Sequence, residues 1–337
     1  MPMNRIQFQP GMSLSQFLEL YGTEEQCEAA LEEARWPNGF RCPRCGGQEH
    51  GLVYGRRHTR YQCRSCRHQT TVTAGTIMEA TKLSLTKWFQ AFYLVGDAKT
   101  GISSLSLMRK LGVSYRTAWL IHNKIMQAMS ERDKSYVLRG KVQLDDAYLG
   151  GEHNGGKPGR GSENKVPIVA AVSLDEAGHP IHVKVAKVET FSFAAIADWA
   201  QDALARGCEV ISDGLACFRA VAEVGCLHQP VVVNGRHPKD LPDFRWINTV
   251  ISNLKTSFSG MFHALNFDKY ADRYFGAFCY RFNRRFNLEE MTGRLLRASC
   301  SCTARPERLL RSAELGTYTS ATEYLKAAIN GVNVELY

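Results

Sequence analysis

Two aspartates and one asparagine carry side-chain oxygens at positions where a divalent metal could be bound. Asp145 and Asp213 each end a short apolar, β-like run, and Asn248 opens a helix-like stretch. Carboxylates at the ends of neighbouring strands, with a polar group on a later helix, can hold two Mg²⁺ ions for phosphoryl transfer. The alternative interpretation is three surface polar residues that share no role.

Two further side chains extend this hypothesis. Lys255 follows Asn248 by seven residues, which is two helical turns, so both should share a helix face and Lys255 could bind a phosphate. Asp146 directly follows Asp145. Because neighbours on a strand point to opposite faces, we expect only one of these two aspartates to enter the metal site.

Four cysteines form two CxxC pairs separated by seventeen residues, the spacing of a tetrahedral zinc site: Cys42, Cys45, Cys63 and Cys66. A redox CxxC would be single. Four protein ligands leave no open position, so the zinc should stabilise the fold and not catalyse. The other seven cysteines lack such spacing and are interpreted as buried or incidental thiols.

The chain is basic, with a net charge of +9, and its arginines cluster around the cysteines. This favours a polyanionic partner. The arginines of the cluster, together with Tyr54 and Tyr61, suit a DNA-facing ribbon: Arg56, Arg57, Arg60, Arg64 and Arg67. A solvated basic face without a ligand is the alternative.

Residues 102–129 have the pattern helix, turn, helix, with Gly112 in the turn and Ser114 as the cap of the second helix. Several polar residues of the second helix could contact DNA: Tyr115, Arg116, Thr117, Asn123 and Lys124. A plain helical hairpin would show the same pattern.

From residue 141 onward, five β-branched or apolar runs predict strands, the first three in succession and the others alternating with helices. This order predicts an α/β fold with a mixed sheet covered by helices. No apolar run reaches the roughly 18–20 residues that span a bilayer, and the N-terminus has no signal-peptide core. We therefore expect a cytoplasmic protein without a membrane partner.

Taken together, the motifs resemble a bacterial insertion-sequence transposase of the fifteen-ninety-five family. Six segments carry the resemblance: CPRCG (42–46), YQCRSCRHQTTVTAGTIM (61–78), KVQLDDAYLGG (141–151), VISDG (210–214), INTVISNLK (247–255) and KYADRYFGAFCYRFNRR (269–285). The resemblance implies an RNase H-like, DDE-type catalytic core preceded by a zinc ribbon and a helix-turn-helix region.

The family pattern places its metal-binding aspartates on Asp145 and Asp213. Its third position, usually Glu, lies seven residues before a Lys, here Lys255, and is occupied by Asn248. An amide oxygen can bind Mg²⁺ but adds no charge, so weaker metal affinity is expected. Asp146 matches a position that is usually acidic.

The resemblance also implies five regions: a helical lead-in (1–35), a zinc ribbon (36–76), a helix-turn-helix region (77–135), the catalytic domain (140–290) and a C-terminal tail (291–337). The implied activity is cleavage of the ends of the insertion sequence and joining of their 3′-hydroxyls to target DNA. The implied partners are the element ends, the target DNA and further copies of the chain, as a homodimer or larger oligomer. The alternative is a DNA-binding regulator that has lost its chemistry.

Overall fold

The chain divides into two units, which were identified in a computed structural model. The first comprises residues up to Met129 together with Arg284–Leu310, and the second contains Ser130–Asn283. The structure describes residues 6–55, 59–149, 165–232, 241–261 and 267–313. In these ranges no helix combines the length and the apolar character that a membrane span requires.

The helices of the described residues follow one another along the chain as α1 (Leu14–Tyr21), α2 (Glu24–Arg35), α3 (Leu85–Asp97), α4 (Ser104–Leu111), α5 (Tyr115–Lys134), α6 (Phe193–Ala203), α7 (Arg245–Met261), α8 (Phe267–Asn283), α9 (Met291–Ser301) and α10 (Glu307–Ser312). The strands are β1 (His50–Val53), β2 (Arg60–Cys63), β3 (Gln69–Thr70), β4 (Lys141–Leu149), β5 (Val166–Leu174), β6 (Pro180–Lys187), β7 (Glu209–Asp213) and β8 (Leu227–Val231).

The predicted helix-turn-helix is present as α4 and α5. Gly112 ends α4 in the left-handed conformation, with φ of 63°, which glycine adopts without steric cost. Ser114 accepts a hydrogen bond from the backbone N–H of Thr117 at 3.2 Å and so caps α5. Leu107 and Leu111 are fully buried and form the inner face of α4.

Strands β1, β2 and β3 form a small antiparallel sheet next to the four cysteines. Aromatic rings pack around it: the ring centroids of Trp36 and Tyr61 lie 4.8 Å apart, and Phe40 stacks on Tyr61 with ring centroids 5.8 Å apart. Tyr61 is 3% exposed, so its predicted place on a DNA-facing surface is wrong. The ring is buried because this sheet is too small to have a core without the aromatic cluster.

The second unit is built on a five-stranded sheet of order β6-β5-β4-β7-β8. Strands β6, β5 and β4 are antiparallel, whereas β4, β7 and β8 run parallel. The predicted mixed α/β, RNase H-like sheet is thereby confirmed. The fifth strand, β8, begins at Leu227, where its pairing with β7 starts.

Both faces of this sheet are covered, and β4 alternates between them. Val142 and Leu144 pack toward α6 and the 3₁₀ segment Ala216–Val224, whereas Ala147 and Leu149 pack toward α7 and α8. Burying each large aliphatic side chain stabilises the fold by about 1.5–3 kcal/mol. A shift of one residue would exchange the two faces, so these cores fix the direction of every side chain on β4.

The C-terminal end of α5 is joined to the sheet by a buried polar group, Asp133. Asn283 Nδ2 donates to Asp133 Oδ1 at 3.0 Å, and Lys184 Nζ donates to the Asp133 carbonyl at 2.6 Å. Burial lowers the pKa of Lys184, and the charge of Asp133 opposes that shift. The network satisfies groups that would be costly to bury alone.

Helix α8 approaches α5 so closely that only glycine fits at position 276. A Cβ there would lie 2.4 Å from Ser130 Cβ and 2.5 Å from Ser130 Cα. Gly276→Ala should therefore cost about 1–3 kcal/mol through overpacking, measurable as a lower urea midpoint.

Gly293→Ala on α9 is the matched control. A Cβ at that position meets only the Arg297 guanidinium, at 3.7 Å, so alanine should be neutral or raise the midpoint. Equal midpoints for the two variants would show that the contact between Gly276 and Ser130 does not constrain the packing.

Candidate functional site

Asp145 and Asp213 lie side by side because of the parallel register between β4 and β7. Leu144 pairs with Ser212, so the next residues on the two strands are the two aspartates. Both follow the alternation that directs their side chains toward α7. Asp213 ends β7, as predicted, but β4 continues to Leu149, so Asp145 lies within its strand and marks the end of the pairing with β7.

Asp146 joins this pair. Asp145, Asp146 and Asp213 each present a carboxylate oxygen, and these oxygens all lie within 4.8 Å of one another. The expectation that only one of the adjacent aspartates enters the site is therefore wrong. The alternation holds, but the site lies where β7 stops, and there a side chain from either face of β4 can reach the same space.

Short hydrogen bonds hold the aspartates in place. The backbone N–H of Asp146 donates to Asp145 Oδ1 at 2.9 Å, and that of Leu215 donates to Asp213 Oδ1 at 3.0 Å. The Ser212 hydroxyl donates to the Asp213 carbonyl at 2.8 Å and lies 2.8 Å from His228 Nε2. The end of β7 is thus fixed by its own side chains.

Asn248 and Lys255 share one face of α7, as their spacing predicted, and Ile251 lies between them. All three line a cavity of about 400 Å³ together with residues of β4 and the start of β5: Asp145, Asp146, Ala147, Tyr148 and Lys165. The cavity therefore combines carboxylate and amide oxygens with two lysines.

Lys165 was not among the predicted site residues. It lies just before β5, where Val166 pairs with Leu149 at the far end of β4. Only this pairing brings the lysine to the cavity. A single lysine ahead of an apolar run carries no signal in the sequence from which its position could be inferred.

The carboxylate cluster has the chemistry and dimensions of a divalent-cation site. Ligands of one Mg²⁺ ion lie about 2.0–2.1 Å from it and hence at most ~4.2 Å apart, and these carboxylate oxygens all lie within 4.8 Å of one another. Hard oxygen ligands are what Mg²⁺ prefers. The arrangement is thus compatible with divalent metal binding.

The four cysteines of the CxxC pairs also converge. Cys42 Sγ lies 3.6 Å from Cys66 Sγ, and Cys45 Sγ lies 3.6 Å from Cys63 Sγ. Sulfurs at about 2.3 Å from a tetrahedral zinc would be ~3.8 Å apart. The cluster suggests structural zinc.

The predicted DNA-binding residues fall into several groups. Arg60, Arg64 and Tyr115 are exposed, and Arg56 and Arg57 lie outside the described residues. Arg116 is exposed but forms an ion pair with Glu307 at 2.9 Å.

Two of the polar residues expected to face DNA on α5 do not. Asn123 is 1% exposed and donates to the Trp119 carbonyl, and Lys124 is 8% exposed and donates to the Ile77 carbonyl at 2.7 Å. The prediction for both is wrong because they lie on the side of α5 that packs inside the first unit.

Comparison with known proteins identifies two regions of the chain. Residues 137–283 match the ISXO2-like transposase domain, and residues 22–69 match the transposase zinc-ribbon domain. A curated relative from Halobacterium salinarum, described as an uncharacterized protein in transposable element ISH50, is 28% identical over 236 residues. That alignment covers 65% of this chain and 76% of the relative.

Among solved structures, the chain is similar to the Mos1 strand transfer complex, with 16% identity and a TM-score of 0.25. The match covers 65% of this chain and 78% of that one. The Mos1 mariner paired end complex with Mn matches with 14% identity and a TM-score of 0.21, over 63% and 77% of the two chains.

The ISXO2-like match contains the mixed sheet with its carboxylates, and the zinc-ribbon match contains the four cysteines. The two matches agree with the family that the sequence motifs resemble. The chain therefore carries a transposase zinc-ribbon domain followed by an ISXO2-like transposase domain.

Proposed function

We propose that this transposase cleaves the ends of its insertion sequence and joins the freed 3′-hydroxyls to target DNA by phosphoryl transfer with two Mg²⁺ ions. One observation carries the proposal: three carboxylate oxygens of the ISXO2-like domain lie within 4.8 Å of one another. Two of these carboxylates share a cavity with an amide and two lysines.

In this proposal Asp145, Asp213 and Asn248 hold the cations, and Asp146 adds a further carboxylate. Bound cations would neutralise charge on the phosphodiester and assist the attacking and leaving oxygens. Because Asn248 contributes an oxygen without charge, the aspartates supply the negative charge that retains the metal.

Lys255 and Lys165 line the same cavity on different elements and are both exposed. Their ammonium groups would bind DNA phosphates on either side of the reacting bond, which orients the backbone across the carboxylates. The zinc ribbon and the helix-turn-helix would recognise the DNA sequence at the element ends. Two ends must be held together, which favours a homodimer or larger complex.

A DNA-binding regulator without chemistry is the competing function, and the neutral Asn248 is the observation that favours it. The convergence of Asp146 with Asp145 and Asp213 weighs against it, because a decayed site has no need of three close carboxylates. Metal-dependent strand cleavage distinguishes the two functions.

Asp145→Asn and Asp213→Asn should each abolish excision from a plasmid that carries the matching element ends. Each change removes one of the charges that hold the cations while leaving size and shape unchanged. Asp175→Asn is the matched control, because Asp175 accepts a backbone hydrogen bond in the turn between β5 and β6 and an amide can do the same.

Asn248→Glu should retain or raise excision, since it restores a charged ligand. Excision by either aspartate variant at the wild-type level would refute the metal mechanism. Complete loss in Asn248→Glu would place Asn248 outside the metal site.

We also propose that the four cysteines hold one structural zinc. Cys63→Ser should lose the metal, measured as zinc per chain by native mass spectrometry, and should unfold the ribbon, since metal binding supplies much of its folding free energy. Cys300→Ser, which changes a cysteine outside the cluster, should keep the zinc. A Cys63→Ser protein with full zinc content would contradict this assignment.

The double variant Arg60→Ala, Arg64→Ala should bind element-end DNA more weakly and with a shallower salt dependence. Loss of two phosphate contacts reduces the magnitude of the negative slope of log K, where K is the association constant for DNA, against log salt concentration by about 2. The control is Arg294→Ala on α9, whose guanidinium is paired at 2.9 Å with Glu290, the residue before that helix. An unchanged slope in the double variant would remove the ribbon arginines from the DNA interface.

A further inference from the structure

Gln143 connects the two elements that carry the site. Its Oε1 accepts the backbone N–H of Ile247 at 3.0 Å and that of Trp246 at 3.2 Å. Gln143 is two residues before Asp145 on β4, and Ile247 immediately precedes Asn248 on α7. From this geometry, and on the basis of the proposed function, we infer that Gln143 is a positioning residue that sets the placement of Asn248 relative to Asp145.

These two hydrogen bonds supply an acceptor for the first backbone N–H groups of α7. The first backbone N–H groups of a helix have no partner within the helix, and a Ser, Thr, Asp or Asn before the helix usually accepts from them. The residue before α7 is Phe244, which has no side-chain acceptor. Gln143 supplies the acceptor from the neighbouring strand and is itself 3% exposed.

Because hydrogen bonds are directional, they can fix the position of α7 along its axis, which apolar packing alone does not fix. Ile247, Val250 and Leu254 hold α7 against the sheet, but apolar contacts are non-directional and tolerate small shifts along the helix axis. Two hydrogen bonds to one oxygen fix the first turn. A displacement of ~1 Å in such a site is enough to cost about a hundredfold in rate.

A neutral acceptor suits this position. A glutamate could accept the same two hydrogen bonds, and its charge would favour the helix N-terminus. It would also bring a further buried carboxylate to the face of β4 that carries Asp145. Gln143→Glu therefore keeps the positioning bonds, whereas Gln143→Met keeps the length of the side chain and removes its acceptor.

The test measures Mn²⁺ binding to the full chain by electron paramagnetic resonance, together with hydrogen exchange of the Trp246 and Ile247 amides. Gln143→Met should weaken Mn²⁺ binding about 10- to 100-fold, the range for outer partners of metal ligands, and should speed exchange at both amides. Gln143→Glu should retain the protection of both amides.

Ser192→Ala is the matched control, since it removes a hydrogen bond of 3.2 Å to the backbone N–H of Ala195 at the start of α6, on the other face of the sheet. This variant should lower the thermal midpoint and leave Mn²⁺ affinity unchanged. In an Asn248→Ala background, Gln143→Met should have no further effect on Mn²⁺ affinity, because its effect acts through Asn248.

Wild-type Mn²⁺ affinity in Gln143→Met, or an equal loss in the Asn248→Ala background, would overturn the inference and leave the proposed function intact. Failure of the wild-type chain to bind Mn²⁺ in a manner that depends on Asp145 would overturn the proposed function, and the inference with it.

Discussion

The parallel pairing of β4 with β7 is the constraint on which the candidate site depends. It places Asp213 beside Asp145 on the same face, although 67 residues separate them along the chain. Side chains alternate strictly along a strand, so a slip of one residue would move one carboxylate to the opposite face. The apolar partners of the two strands prevent that slip, because Val142 and Val210 are both fully buried in one core. Packing energy thus specifies the geometry of a polar site.

The position of the site at the end of this pairing also limits its cost. Three carboxylates within 4.8 Å of one another repel, and full burial would add a large desolvation penalty. All three are only partly buried, because β7 stops at Asp213 while β4 continues. The sheet therefore supplies rigid supports for the carboxylates and leaves their oxygens accessible from solvent.

The sequence predicted those parts of the molecule that depend on local pattern. Spacing alone located the cysteine pairs, the turn at Gly112 and the shared face of Asn248 and Lys255. The pairing of strands is not local, and the errors arise there. Strand alternation correctly places Asp145 and Asp146 on opposite faces of β4. That both side chains reach the same carboxylate cluster follows only from the fact that β7 stops at Asp213 while β4 continues. Lys124 has an ordinary surface residue type, and its burial follows from a carbonyl on a distant segment, that of Ile77.

The close approach of Asp146 changes how the neutral Asn248 is interpreted. Divalent-cation affinity depends on the number of charged ligands, so an amide in place of a carboxylate at the third position would weaken a site of three ligands. Here Asp145, Asp146 and Asp213 together bring three negative charges without any contribution from α7. In the proposed metal site the helix would then need to supply only an oxygen at the correct distance. That requirement is one of position, not of charge, and a neutral side chain on a firmly held helix is sufficient to meet it.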